Sequence, residues 1–115
     1  MNSFLKMAKK QTLRSNYRFR LGALIIKGGS VISKGFNRVI QNGPFNVGSV
    51  HAEEMAIKNA GGKTKGATLV VVRSRKSGGF GMSKPCRRCH AQILNSGIRT
   101  VVYTSWNGEL NYYRV

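Results

Sequence analysis

Residues 85–97 read Pro85-Cys86-Arg87-Arg88-Cys89-His90-Ala91-Gln92-Ile93-Leu94-Asn95-Ser96-Gly97. Proline suits the start of a helix and glycine its left-handed stop, so the stretch predicts a helix from Cys86 to about Ser96. Ile93 and Leu94 are expected to face inward. Upstream, Thr68 to Arg73 is a near-continuous apolar run, the pattern of a buried central strand. Downstream, Arg99 to Trp106 reads as a strand, Asn107-Gly108 as a type I′ turn, and Glu109 to Arg114 as the last strand. Toward the N-terminus, Ala23 to Lys27 and Ser30 to Phe36 read as strands joined by Gly28-Gly29. His51 to Ala60 reads as a helix with Met55 and Ala56 on its apolar side, ended by Gly61-Gly62. Residues 39–50, with Asn42-Gly43-Pro44, read as a loop, and residues 74–84 as a Gly-rich basic loop. The order implies an α/β fold: one five-stranded mixed sheet with helices packed on it and a closing antiparallel hairpin.

The length of 115 residues suits a single domain over 1–115. Residues 1–20 carry six basic residues and no acid. Phe4, Met7 and Ala8 suggest a short helix there, and a basic arm is the alternative. No apolar run approaches the ~20 residues of a membrane helix, and the N-terminus lacks the apolar centre of a secretory signal. The expectation is a soluble intracellular protein, cytoplasmic or nuclear, with no membrane partner. Twenty Lys and Arg stand against three acids, a net charge of +17. Such a charge makes a compact chain repel itself, so it points to a polyanionic partner, single-stranded nucleic acid above all. A solvated basic surface is the bland alternative.

The few acids are placed tellingly. There is no Asp, and two of the three Glu, Glu53 and Glu54, follow His51 closely. The only cysteines, Cys86 and Cys89, are too few and too close for a disulfide framework. Their C-x-x-C spacing leaves metal binding, thiol redox chemistry or an inert buried pair. Three residues apart at a helix start, they share a face and sit where the helix dipole stabilises thiolates. With His51 at another helix start they form a one-nitrogen, two-sulfur set. That set suits Zn2+ and leaves a fourth position open, the mark of a catalytic rather than a structural site. Zinc brings the pKa of its water toward neutrality. Glu53, two residues from a ligand, is placed to carry protons without binding metal. Glu54 reads as a charge favoured by the helix dipole.

His51-Ala52-Glu53 and Pro85-Cys86-x-x-Cys89 together form the H-x-E…P-C-x-x-C signature of zinc nucleobase deaminases. The chain resembles the zinc-dependent cytidine/deoxycytidylate deaminase superfamily over most of its length. That resemblance implies a three-layer fold, zinc held by His51, Cys86 and Cys89, and hydrolysis of cytosine to uracil. Water would add at C4 while Glu53 shuttles protons. Gly35-Phe36-Asn37-Arg38 resembles the family's G-x-N segment, which makes Asn37 a substrate contact, and the same string resembles tRNA adenosine deaminases. The closing hairpin resembles the compact free-nucleoside enzymes, whose tetramers imply a homo-oligomer here, while the charge points to a polymer. Both substrate forms stay open, a cytidine nucleotide or single-stranded DNA or RNA. An RNA adenosine deaminase and an inactive zinc-stabilised nucleic-acid-binding module are the alternatives.

Other residues are candidates for holding substrate. Ala52 is expected to wall the base pocket, and Phe45, in the loop before His51, to wall it or to join the core. Arg75 and Phe80, in the loop leading to the cysteines, are suited to a phosphate and a base, unless that loop is merely solvated. Arg87 and Arg88 lie at the pocket mouth or face solvent. Trp106 either stacks on a neighbouring base, as the resemblance implies, or simply packs.

Overall fold

The computed structural model describes residues 2–115, with the backbone alone at 2, 46 and 47. Its elements run α1 (Asn2–Thr12), β1 (Arg20–Lys27), β2 (Ser30–Phe36), β3 (Arg38–Asn42), β4 (Phe45–Val50), α2 (Ala52–Ala60), β5 (Thr68–Ser74), β6 (Phe80–Gly81), α3 (Arg87–Asn95), β7 (Thr100–Thr104) and β8 (Leu110–Arg114). The main sheet has the order β2-β1-β5-β7-β8, with the short β6 added to the end of β5. Only β5 and β7 pair in parallel; β1–β2, β1–β5, β5–β6 and β7–β8 are antiparallel. A parallel pair needs a crossover, and the chain between β5 and β7 carries α3. The mixed sheet and closing hairpin expected from the sequence are present.

Alternation along the strands splits the core in two. On one face Ala23, Ile25, Leu69, Val71 and Val101 meet Ala52, Ala56 and Ala60 of α2 and Ile93 of α3. On the other, Leu24, Ile26, Val70, Val72 and Val102 meet Ala8 of α1, with Phe4, Leu5 and Met7 packed around it. Leu69 to Val72 are therefore buried on both faces, which explains their unbroken apolar run. The N-terminal helix thus buries its apolar stripe on the sheet rather than trailing as an arm. No helix among the described residues is long and apolar enough to cross a membrane.

Several local expectations are corrected. Residues 39–50 are not a loop: β3 and β4 form a separate two-stranded sheet. Gly43 (φ 61°) takes the left-handed position of its tight turn and Pro44 supplies the fixed negative φ that follows, the type II′ pattern. Leu94 is exposed, because the helical period turns it to the side of α3 away from buried Ile93. The β7–β8 connection is not type I′. Only Gly108 has positive φ (80°), and its N–H donates to the Ser105 carbonyl at 3.0 Å. The Asn107 side chain accepts from the Ser105 hydroxyl and from the Glu109 N–H (3.2 Å), which holds a longer turn with Trp106 at its tip. Gly28-Gly29, with both φ positive at 60° and 78°, is the expected two-residue hairpin.

Helix α2 lies close against β2 because residue 35 has no side chain. A Cβ built on Gly35 would stand 2.3 Å from the Ala52 carbonyl oxygen and 2.6 Å from the Ala56 nitrogen. Both are helix backbone and cannot swing aside. Gly35→Ala is expected to lower stability by about 1–3 kcal/mol or more through overpacking, read as a lower urea midpoint at unchanged slope. The same change at Gly35 should also weaken zinc binding, since the displaced helix carries His51.

Candidate metal centre and its cavity

Two helix starts build the centre. His51 is the N-cap of α2 and Cys86 the N-cap of α3, one step before the helical turns in which the sequence alone would place them. An N-cap side chain lies beside the residue three positions on, as in a capping box. In α3 that residue is Cys89, so the C-x-x-C spacing brings both sulfurs together. In α2 it is Glu54, whose carboxylate accepts from the His51 N–H at 3.4 Å. His51 Nδ1 stands 3.1 Å from Cys89 Sγ and 3.7 Å from Cys86 Sγ. The three ligand atoms lie within 4.8 Å of one another. An imidazole nitrogen and two sulfurs so close together, with no disulfide between the thiols, fit a tetrahedral zinc ion with one position left over. Burial raises the pKa of the Cys89 thiol, and the charge of Glu53 adds to this.

The segment before Cys86 is fixed by hydrogen bonds that no sequence signal announces. The Ser83 hydroxyl donates to the Val71 carbonyl at 2.7 Å and accepts from the Thr104 N–H at 2.7 Å. Thr104 Oγ1 in turn donates to the Gly81 carbonyl at 2.5 Å. These bonds sew residues 81–83 into the gap at the carboxyl ends of β5 and β7, so Cys86 leaves the sheet at a set point. Across the centre, Arg88 Nη2 donates to Glu54 Oε1 at 2.7 Å, an ion pair that joins the two helices. Arg88 therefore turns to Glu54 rather than to the pocket mouth.

Glu53 lies on the buried stripe of α2 with Ala52, Ala56 and Ala60, and is 3% exposed. Burial pushes its carboxyl up to about 7, the nearby Glu54 charge adds to this, and hydrogen bonds from the backbone and the Cys89 thiol oppose it. A carboxyl that titrates near neutrality can both take and return a proton. Glu53, His51, Cys86 and Ala52 all line one cavity of about 610 Å³, with Cys89 buried behind them. Tyr17, Phe19, Arg38, Arg73, Met82 and Lys84 also line it. None of these wall residues is singled out as a substrate contact by the sequence. They come from separate segments, and only the sheet order brings them together.

The structure places the expected substrate contacts unevenly. Asn37 lines the cavity, but its side-chain oxygen accepts from the Leu21 N–H (2.8 Å) and its amide nitrogen donates to the Phe19 carbonyl (2.5 Å). Its side chain fastens the wall that carries Phe19. Phe45 is outside the cavity and outside the core, because the β3–β4 turn carries it to an exposed tip. Phe80 pairs with Ser74 and packs on the α1 side of the sheet beneath the Lys9 ammonium, away from the cavity. Arg87, at the first position of α3, is exposed and off the cavity wall. Arg75 and Trp106 line a second, adjoining cavity.

Comparison with known proteins agrees with this geometry. Residues 1–105 match the family described as the cytidine and deoxycytidylate deaminase zinc-binding region. The chain is 34% identical over 102 residues to the riboflavin biosynthesis protein RibD of Aquifex aeolicus, covering 89% of this chain and 26% of that one. It is 28% identical over 105 residues to the diaminohydroxyphosphoribosylamino-pyrimidine deaminase of Buchnera aphidicola subsp. Schizaphis graminum, covering 91% and 64%. A cytidine deaminase structure from Burkholderia pseudomallei superposes with a TM-score of 0.75 at 21% identity, over 98% of this chain and 91% of that one. The chain thus spans about a quarter of the length of the Aquifex relative.

If the Arg88–Glu54 pair holds the helix starts in register, Arg88→Ala should weaken zinc binding about tenfold, as removal of a supporting group around a metal does. Competition against a chromophoric chelator would measure it. The charge-swapped double variant Glu54→Arg/Arg88→Glu should recover part of the loss.

Proposed function

The chain belongs to the cytidine and deoxycytidylate deaminase zinc-binding family, a family of zinc-dependent deaminases, and from that premise we propose that it hydrolyses the exocyclic amine of cytosine in a phosphate-bearing substrate. One observation carries the reading: buried Glu53 and two of the three ligands, His51 and Cys86, share a cavity with Arg38, Arg73 and Lys84. His51, Cys86 and Cys89 would hold the zinc, which supplies the Lewis acidity that makes water nucleophilic at neutral pH. Cytosine and water become uracil and ammonia. Ala52, Phe19 and Met82 offer apolar surface for the base and exclude bulk water. Glu53 accepts one proton of the attacking water and passes it to ring N3, then takes the remaining proton from the hydroxyl added at C4 and hands it to the amine, which leaves as ammonia while C4 becomes a carbonyl. Arg38, Arg73 and Lys84 receive the phosphate. No acid other than Glu53 lines the cavity, against three cations.

A second reading rests on the identities rather than on the cavity. The Buchnera relative, a diaminohydroxyphosphoribosylamino-pyrimidine deaminase by name, points to a phosphoribosyl-bearing aminopyrimidine. That substrate also joins an amine-bearing pyrimidine to a phosphate, so the same residues would serve it.

Glu53→Gln is expected to cut turnover by about 10²–10⁴-fold, the usual weight of a general acid–base group, while zinc stays bound at one per chain. Mass spectrometry on a mixture of cytidine, deoxycytidine, their monophosphates, a phosphoribosylaminopyrimidine and single-stranded oligonucleotides would read the product. Deamination confined to uncharged nucleosides would sink the phosphate-bearing reading, and loss of zinc from the variant would sink the role given to Glu53.

A further inference from the structure

Of the three cations that line the cavity with Glu53, Lys84 is the one joined directly to the ligand segment. Its backbone lies between two fixed points. On one side is Ser83, bonded to Val71 and Thr104, and on the other is Cys86, the N-cap of α3. Pro85 between them has a locked φ. The side chain beyond is a flexible four-carbon stem, which left to itself would spread its charge over many positions. Here the ammonium lies 5.9 Å from the centre of the Tyr103 ring and 5.7 Å from that of Tyr113. Both distances fall inside the ~6 Å range over which a ring face attracts a cation. The two rings stand 6.0 Å apart at 57° on the neighbouring strands β7 and β8. Both are half-buried and pack against the core layer of α2 and α3. Tyr113 is held further, because its hydroxyl and His90 Nδ1 share a hydrogen bond of 3.2 Å. His90 follows Cys89 in α3, so a line of contacts runs from the metal helix through Tyr113 to the Lys84 ammonium.

Among the described residues the single ion pair is Arg88–Glu54, so no carboxylate offsets the Lys84 charge. That difference decides what the lysine can do. A carboxylate would fix the ammonium and neutralise it. A pair of neutral ring faces fixes it and leaves its charge whole for an incoming anion. The other two cations are placed otherwise: Arg38 rides on the separate two-stranded sheet, and the guanidinium of Arg73 is laid on the Phe19 ring at 4.6 Å. A bare nucleoside offers a held ammonium only hydroxyls, whereas its phosphate ester offers a charged, multiply accepting partner. We propose that Lys84 is the residue by which the site prefers a phosphate ester to the bare nucleoside, and that Tyr103 and Tyr113 are positioning residues that keep its ammonium at the cavity. This selector rests on the deamination reading, since it names the group that chooses the substrate of that reaction.

The test uses the zinc-loaded full chain with dCMP and with deoxycytidine, each read by turnover and by calorimetric binding. The quantities compared are the ratio of kcat/KM for dCMP to that for deoxycytidine and the matching ratio of affinities. The parent should favour dCMP, and Lys84→Gln should cut both ratios about tenfold, the weight of one charge-assisted contact. Tyr113→Leu should cut them about two- to fivefold, the weight of an exposed contact between a cation and a ring. Tyr113→Phe keeps the ring face and should hold the ratios near those of the parent. Tyr103→Leu, on the neighbouring strand, is the second variant should Tyr113→Leu fail to fold, with a fall of the same size expected. In the Lys84→Gln background Tyr113→Leu should lower the ratios no further, whereas a merely structural role would harm both substrates alike with or without the lysine. A parent that binds dCMP no better than deoxycytidine would overturn the selector, as would unchanged ratios in Lys84→Gln. A fall in the ratios on Tyr113→Leu that persists without Lys84 would overturn the positioning role. Conversion of both substrates in ratios indifferent to Lys84 removes the selector and leaves the deamination. Preferential dCMP binding that depends on Lys84, with conversion of neither substrate, removes the deamination and leaves the selector.

Discussion

Two helix N-termini, those of α2 and α3, are brought to one point, and the rest of the molecule accommodates that meeting. Each N-terminus carries roughly half a positive charge, and the chain around them is already at +17. Left bare, the two ends would repel. The groups that gather there are the ones able to carry negative charge: Glu53, Glu54 and the two thiols. With two of the chain's three acids placed at this point, little is left for the surface. Gly35 allows α2 to lie on β2 with backbone against side-chain-free backbone. Ser83 fixes where α3 begins, and Arg88 draws the two ends together through Glu54. A structural metal needs only its ligands. The proposed proton transfer rests on a buried carboxyl beside them that faces a cavity.

The ligand set was legible because it is local chemistry. A histidine and a cysteine at helix starts, and a second cysteine three residues on, can be read without knowing how the sheet is ordered. Glu53 was legible for the same reason, as was the central strand of Leu69 to Val72. The cavity walls were not. Tyr17, Phe19, Arg38, Arg73 and Lys84 become neighbours only through the pairing of β1 with β5 and the placement of residues 81–86, which no short window contains. Phe80 shows the same limit at a smaller scale. Its face was decided by register with Ser74, and a shift of one residue would have turned it to the other side. The β3–β4 hairpin was missed although Asn42-Gly43-Pro44 marks its turn, because its flanking residues are mostly exposed and give no alternation to read. At Asn107 a strong turn signal was present but of the wrong type. The side chain of Asn107 bonds within its own turn, and this local bond outweighed the dipeptide preference.

The balance of charge and core follows from the same scarcity of acids. The cations go largely without ionic partners, and their mutual repulsion works against the compact state. Two apolar layers, one on each face of the sheet, supply the cohesion. α1 covers β1, β2 and β5, and α2 and α3 cover the opposite face. β5 belongs to both layers and to the boundary of both cavities, through Arg73 and Ser74. The strand that anchors the fold thus also delivers the cation at which the two cavities join.

The separation of the ligands along the chain has a thermodynamic consequence. Cys86 and Cys89 come together as soon as the first turn of α3 forms, but His51 lies 38 residues from Cys89 and arrives only when both helices have docked on the same face of the sheet. The complete donor set is therefore a property of the native state alone. An ion that binds only that state shifts the folding equilibrium by mass action, so metal affinity and conformational stability here are two readings of one linked equilibrium. The joint between α2 and α3, which the ion would bridge, is the place where its depletion would first be felt as local unfolding.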